Sequence, residues 1–427
     1  MKQRFRIIYS LLILFLASHQ TLDACSMVKL TSDGRTFVGN NEDAWRTTSK
    51  IIFEQGGDDT YGVAFLTHRE KEQAQGAMNT AGLCFDAFTV LPKASDHGEN
   101  RSPNSLVNEI MRTCSTVHEV KAKLEPYQTY FYPIAMFLFV DKSGDYLIIE
   151  PDTLILGSEP KYHLVNFCPS ITPNLNEVKM SRYHRGTAYL ADKSTASLDV
   201  TLGAMDTMHE CRGKLGDGTL YTNIYDLDKS EIHLYFYHDY SRSVKFNLEE
   251  ELAKGDHSYP IDSLFPENAE FEKLRSYQTP RSSKVIFGFF FLSTGLFVLT
   301  ILSFAISILI GLFRKKDGTK SNSNWAFKLL MMASSVAFIF YLINAYRFQA
   351  MFYFPAPYKA IEFPLLSAAA YLPFALLLGI VPLIWFNWRI LKQSTWSKFM
   401  KFILSMNTLS YAVLLVLFGY WGFLVFI

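Results

Sequence analysis

The composition of this chain changes abruptly near residue 284, and that break limits what it can fold into more than any other feature. Before it, charged residues are mixed evenly with Tyr and Phe, as in a globular domain with a solvated surface. After it come four apolar stretches, Val285–Phe313, Ala326–Tyr346, Phe363–Phe386 and Phe402–Ile427. Each exceeds the ~20 residues that a helix needs to cross a bilayer core. The expectation is an all-α transmembrane bundle of four helices over 285–427, a linker over 263–284 and a globular domain over 25–262. Spans without charge generally serve as anchors. Anchoring and assembly are therefore expected of the bundle, with presentation of an acyl-chain lipid as the alternative.

Orientation follows from the loops. Arg314, Lys315, Lys316 and Lys320 follow the first stretch, and Arg389, Lys392, Lys398 and Lys401 follow the third. Between the second and third lie only Arg347 and Lys359. The positive-inside rule places loops 314–325 and 387–401 in the cytoplasm and residues 25–283 outside it. The first 24 residues agree: Lys2, Arg4 and Arg6 make a basic start, Ile7 to Ala17 an apolar core, and Ser18 to Ala24 a polar end, as in a secretory signal peptide. The expected partners are membrane lipids and a small-molecule substrate, and a homo-oligomer is compatible with this plan. Nucleic acid is not expected, because the net charge is +1 and no basic patch interleaved with aromatics occurs before residue 284.

Cleavage after Ala24 would leave Cys25 at the N-terminus. Such a residue carries a thiol nucleophile and an α-amine titrating near pH ~8, which can serve as its base. Leu22-Asp23-Ala24-Cys25 also half resembles a lipoprotein box, in which the cysteine is lipidated instead. Five cysteines are an odd number for an oxidising compartment, so one free thiol is expected, with Cys25 the natural bearer. Cys84, Cys114, Cys168 and Cys211 either form two disulfides or stay reduced. No CxxC, HExxH, GxGxxG or GxSxG pattern is present, so zinc, dinucleotide and serine-elbow chemistry have no support in the sequence.

Ser26–Thr31 and Arg35–Asn41 flank Asp33-Gly34, a strong hairpin signal. Counting outward from that turn sets Ser32 opposite Arg35 and Cys25 opposite Glu42, with Asp43 just past the strand end beside the Cys25 amine. Ile51–Phe53, Tyr61–Leu66 and Leu83–Thr89 read as strands, and Met78–Gly82 as a turn. Ser105–Cys114, Val117–Leu124 and Arg182–Ala191 show helical spacing. Phe131–Val140 with Tyr146–Glu150, and Leu220–Asp226 with Glu231–Tyr237, read as two further hairpins, and His163–Phe167 as a short strand. Strands at both ends with helices between them predict a layered α+β domain.

Cys25-Ser26 followed by Gly39-Asn40-Asn41-Glu42-Asp43-Ala44-Trp45 resembles the opening of the choloylglycine hydrolase and penicillin V acylase group, Cys-Thr and then Gly-Arg-Asn-x-Asp-Trp. Asn79-Thr80-Ala81-Gly82-Leu83, the strand ending at Glu150, Val165-Asn166 with Pro169, Ser181-Arg182-Tyr183-His184-Arg185 and Leu220 to Leu227 resemble later segments of that group in the same order. The resemblance implies an N-terminal nucleophile (Ntn) hydrolase fold, a four-layer αββα domain, and hydrolysis of a linear N-acyl amide without metal or organic cofactor. It favours the thiol role of Cys25 over lipidation. It further implies Cys25 as nucleophile, its amine as general base and Asp43 as the group that orients the amine. Asn166 would be an oxyanion donor, worth about 3–4 kcal/mol in such sites. Arg185 would hold the charges of the site, with Arg182 as the alternative bearer. Two positions depart from the pattern. Asn40 stands where the group has Arg, with Arg46 as a substitute cation, and Thr89 stands near the second oxyanion side chain. An acyltransferase on the same fold, or a non-catalytic sensing module, would share these features.

Overall fold

The computed structural model describes residues 25–44, 47–68, 74–90, 103–125, 135–212, 214–315, 324–359, 363–392 and 396–425. The signal-peptide reading of residues 1–24 and the substitute cation Arg46 fall outside them. The chain divides between Ser276 and Tyr277 into two compact units.

The first unit is built on two antiparallel sheets. Its opening hairpin joins β1 (Ser26–Ser32) and β2 (Arg35–Ala44), with Ser32 opposite Arg35 and Ser26 opposite Asn41. Asp33 (φ 51°) and Gly34 (φ 71°) both take the left-handed conformation that a two-residue turn between twisted strands demands. That turn sets the register, and the register places Cys25. β2 runs on through Asp43 to Ala44, past the predicted end at Asn41, because β11 (Gly218–Asp226) pairs with it there. β10 (Lys161–Leu164), β12 (Glu231–Phe236) and β13 (Asp239–Asn247) complete a six-stranded sheet in the order β10-β1-β2-β11-β12-β13.

The second sheet has eight strands in the order β14-β3-β4-β5-β6-β7-β8-β9. They are β3 (Lys50–Glu54), β4 (Val63–Thr67), β5 (Ala74–Asn79), β6 (Cys84–Thr89), β7 (Ala135–Val140), β8 (Tyr146–Ile149), β9 (Leu154–Gly157) and β14 (His257–Pro260). β5 replaces the front of the predicted Met78–Gly82 turn. Its Ala-Gln-Gly-Ala-Met-Asn sequence lacks β-branched residues, and its strand form comes from pairing with β4 and β6.

Helices cover the outer face of each sheet. α1 (Pro103–Thr113) and α2 (Val117–Leu124) bury Leu106, Ile110, Val117 and Val120 against Phe85, Phe137 and Phe139 of the second sheet. α2 begins in the capping box Thr116-x-x-Glu119. α3 (Ser181–Leu190) and α4 (Leu198–Met208) bury Tyr183, Ala204, Met205 and Met208 against Val28, Leu30 and Phe37 of the first. The result is the expected four-layer αββα order. A short α5 (Leu248–Leu252) follows β13, and α6 (Ala269–Ser276) seats Phe271 against Phe236 and Tyr237. None of the five cysteines is in a disulfide, and all but Cys211 are buried.

The second unit contains four spans long and apolar enough to cross a membrane: Lys284–Phe313, Trp325–Arg347, Pro364–Lys392 and Lys398–Tyr420. The third is interrupted, with one helix over Pro364–Ala369 and another over Leu372–Lys392. Pro373 lacks the N–H that a continuous ladder would need there. The second carries a charge near its start: Lys328 is buried, and its Nζ donates to Ser307 Oγ at 2.9 Å and lies 5.2 Å from the Trp396 ring. The expectation of spans without charge is corrected at this residue. Deeper in the bundle, Asn407 donates to Thr300 Oγ1 at 2.8 Å.

Candidate active site between the two sheets

The ladder ends at Ser26 opposite Asn41, and continuing it by one residue sets Cys25 beside Glu42 on the face turned to the other sheet. Cys25 is 4% exposed, and its Sγ donates to Glu42 Oε2 at 3.2 Å. The other carboxylate oxygen, Oε1, lies 2.8 Å from His68 Nε2. His68 follows β4, so Glu42 links the nucleophile candidate on one sheet to an imidazole carried by the other. Tyr221 stands opposite Glu42 on β11, its ring centroid 6.4 Å from that of His68.

A second buried acid faces the same space. Asp86 on β6 accepts the Ala87 backbone N–H at Oδ1 (2.8 Å), and its Oδ2 has no hydrogen-bond partner among the described residues. Gly76 on β5 makes room for it. A Cβ at that position would stand 2.8 Å from Asp86 Oδ2 and 3.3 Å from the Tyr225 hydroxyl.

These neighbours decide the charge state of the thiol. Burial, and then the charges of Glu42, Asp86 and Asp43, push Cys25 well above the ordinary thiol range. Burial, reinforced by Glu42, likewise pushes Asp86 well above the carboxylate range. At neutral pH the sulfur is therefore a thiol, and it attacks only if a base takes its proton.

Asp43 lies one residue on and faces the helical layer. A bulge in β11 between Thr219 and Tyr221 brings Thr219 opposite Asp43. Thr219 Oγ1 donates to Asp43 Oδ1 at 2.6 Å. Burial raises the Asp43 carboxyl to about 6, while the charges of Arg182 and Arg212 and the Thr219 bond hold it down.

The remaining predicted residues divide sharply. Asn166 is buried, donates from Nδ2 to the Thr89 backbone oxygen at 2.7 Å, and accepts from Arg182 Nη2 at 2.7 Å. It ties the end of β10 to the end of β6 and keeps one amide N–H for another acceptor. Thr89 enters through its carbonyl, and its side chain is on an exposed residue. Arg182 is 1% exposed and reaches within 3.8 Å of Glu210. Arg185 approaches the same Glu210 carboxylate, at 3.4 Å, but from the surface: its side chain is 42% exposed and donates also to the Thr207 and His209 carbonyls and to Ser181 Oγ. One helical turn separates positions 182 and 185, and only the first faces the sheet. Asn40 faces the inter-sheet space and donates weakly to Asn223 Oδ1 at 3.4 Å, so no guanidinium comes from this position. Asn79 is structural. It donates to the Met111 and Cys114 carbonyls and accepts from Ala81 and Leu83, locking a turn to the end of α1.

Glu42, His68 and Asp86 were not anticipated. Glu42 was readable, since the hairpin count already set it opposite Cys25. Asp86 had a fainter signal, an acid within an otherwise apolar strand. His68 had none, because its approach depends on how the two sheets stack.

No protein-family profile and no curated protein matches the chain. Among solved structures, the chain is similar to a variant of conjugated bile acid hydrolase from Clostridium perfringens, with 15% identity and a TM-score of 0.45 over 57% of this chain and 99% of that one. Penicillin V acylase from Agrobacterium tumefaciens aligns with 13% identity and a TM-score of 0.40, over 50% of this chain and 83% of that one. A Caenorhabditis elegans ortholog of N-acylethanolamine-hydrolyzing acid amidase aligns with 12% identity and a TM-score of 0.37, over 52% and 99%.

Proposed function

We propose that this chain is a membrane-anchored amidohydrolase that cleaves a linear N-acyl amide through a thioester on Cys25, with the two-sheet unit outside the cytoplasm. The observation that carries the reading is the buried Cys25 thiol donating to Glu42 Oε2, with Asp43 next in the chain and its charge balanced by Arg182. Amide hydrolysis is also the class of reaction suggested by the sequence motifs around these residues.

In this reading the Cys25 thiol passes its proton to Glu42 as sulfur bonds to the amide carbon. His68 donates to Glu42 Oε1 and holds the carboxylate in place. The free N–H of Asn166 stabilises the oxyanion. The C–N bond breaks as the Cys25 ammonium, freed by cleavage after Ala24, protonates the leaving nitrogen. Water then gives a proton to that amine while its oxygen attacks the thioester. The departing sulfur takes back its proton from Glu42. Asp43 orients the ammonium and acts as its counter-ion, and Arg182 keeps Asp43 and Asn166 in position.

The test is N-terminal analysis and intact mass of the purified chain, followed by a screen of N-acyl amides with Cys25→Ala as control. Cleavage after Ala24, an alkylatable Cys25 and turnover lost in Cys25→Ala support the reading. A diacylated Cys25, or turnover that survives Cys25→Ala, overturns it. The profile of kcat/KM against pH gives a second check. Asp43 must be ionised to hold an ammonium; burial raises its carboxyl to about 6, and the ammonium freed at Cys25 draws it lower. Activity is expected to fall about tenfold per pH unit as pH drops through the Asp43 titration, on the acid side of 6. This acid limb should be absent from the residual activity of Asp43→Asn.

A further inference from the structure

Three chain segments distant from Cys25 in sequence bring a thiol, an imidazole and a carboxylate to one place. Cys211 lies in the loop before β11, His238 in the turn between β12 and β13, and Glu270 at the start of α6. One ligand atom from each, Sγ, a ring nitrogen and a carboxylate oxygen, falls within 4.8 Å of the other two.

Each segment is pinned by contacts that owe nothing to the ligand atoms. Cys211 forms an isolated bridge with Gly218, and the Thr219 N–H donates to the Glu210 carbonyl at 2.8 Å. The hairpin turn has two residues, Tyr237 and His238, both in the left-handed region at φ 50° although neither is glycine. Phe271, next to Glu270, packs edge-on against Tyr237 at 5.3 Å. The three groups therefore meet without any of them having to be drawn in.

What points to a ligand is His238. Its side chain is 8% exposed, and among the described residues neither ring nitrogen makes a close hydrogen bond, only marginal contacts to the Thr219 backbone and the Glu270 carboxylate. Nε2 stands 3.5 Å from Glu270 Oε2, at the edge of contact. A buried polar atom without a full hydrogen bond is costly, and native folds rarely leave both nitrogens of one ring in that state. A cation held by Nε2, the Cys211 sulfur and the Glu270 carboxylate would satisfy one of them and replace the long 3.9 Å contact of the Cys211 thiol to the Gly216 carbonyl.

We propose that Cys211, His238 and Glu270 bind one zinc-class divalent cation, with a water as fourth ligand. The donor set selects the metal. Calcium and magnesium take oxygen ligands, whereas one sulfur, one imidazole nitrogen and one carboxylate suit the tetrahedral preference of zinc. The ion would clamp the loop before β11 to the β12–β13 turn and α6. It would sit one residue from Glu210, whose backbone N–H donates to Thr219 Oγ1 at 3.0 Å, the hydroxyl that holds Asp43. This site does not depend on the reading of Cys25 as a nucleophile.

Cobalt, which replaces zinc and reports its ligands by absorption, tests the site in the full chain in detergent. After chelator treatment, one equivalent of Co²⁺ is expected to produce a near-ultraviolet thiolate-to-metal band that Zn²⁺ displaces. Cys211→Ser should abolish that band, and Glu270→Gln should weaken Co²⁺ binding at least tenfold, roughly the scale on which such sites respond to lost support. Glu270 is well exposed, so its variant should melt like the parent when metal-free. Cys25 is the internal control, because Cys25→Ala should keep the band. Absence of a band at stoichiometric Co²⁺, or a band that persists in Cys211→Ser, overturns the proposal.

Discussion

Glu42→Gln is expected to lower kcat/KM by about a hundred- to ten-thousand-fold, the usual contribution of a positioned proton acceptor. The thiol cannot ionise unaided, since burial and three nearby carboxyl groups hold it protonated. Its hydrogen bond already runs to Glu42 Oε2 at 3.2 Å. Glutamine keeps the shape and the partner His68 but cannot take the proton. The groups that face this pair are His68 from the end of β4, Asp86 on β6 and Tyr221 on β11, with the Asp43 charge acting from the other face of β2. Removing the Glu42 charge also removes the second-largest cause of the raised Cys25 value, so slow alkylation of Cys25 should begin at a lower pH in the variant than in the parent. Unfolding would also expose Cys25 and ease its ionisation, so the two effects count only in a variant whose circular dichroism and melting match the parent. If turnover of Glu42→Gln matches the parent, the Cys25 amine alone is the base and Glu42 is a structural acid.

Arg182→Met should cost about 3–5 kcal/mol of stability, the range for removing one partner of a buried charge network. The guanidinium is 1% exposed and donates to Asn166 Oδ1 at 2.7 Å. Its charge is also the largest influence holding Asp43 down against burial. Without that cation the Asp43 carboxyl rises, so the acid limb of kcat/KM must move to higher pH than in the parent in whatever activity remains. Chemical denaturation and the pH profile read the two effects separately. Arg185→Met is the matched control. Its side chain is 42% exposed and caps helix carbonyls, so neither quantity should shift comparably. Unchanged stability and an unmoved acid limb in Arg182→Met would sink the role given to this residue.

The contrast between these two arginines shows where reading a sequence stops. Both lie in Ser181-Arg182-Tyr183-His184-Arg185, and helical periodicity alone does not say which face of that helix meets a sheet. Burial of Tyr183, Gly186 and Leu190 orients α3, and that orientation puts Arg182 inside and Arg185 out. Asp43 is a similar case. Its position beside Cys25 followed from the Asp33-Gly34 turn, but its partner Thr219 depends on a bulge in a strand 176 residues away. β5 was hidden because Ala, Gly and Asn carry little strand preference of their own, and ladder bonds from both neighbours override it.

What the sequence determined by itself is whatever short-range physics specifies. Four apolar stretches must cross a membrane or bury one another, whatever the rest of the chain does. A two-residue turn with two left-handed positions sets a register, and the register puts Cys25 opposite Glu42. Tertiary structure alone decided which side chains from different sheets meet. His68 reaches Glu42 only because two sheets stack face to face, and Cys211, His238 and Glu270 converge only because a loop, a turn and a helix meet, the last two through Tyr237 and Phe271. Those meetings are set by long-range packing, which no local spacing of residues encodes.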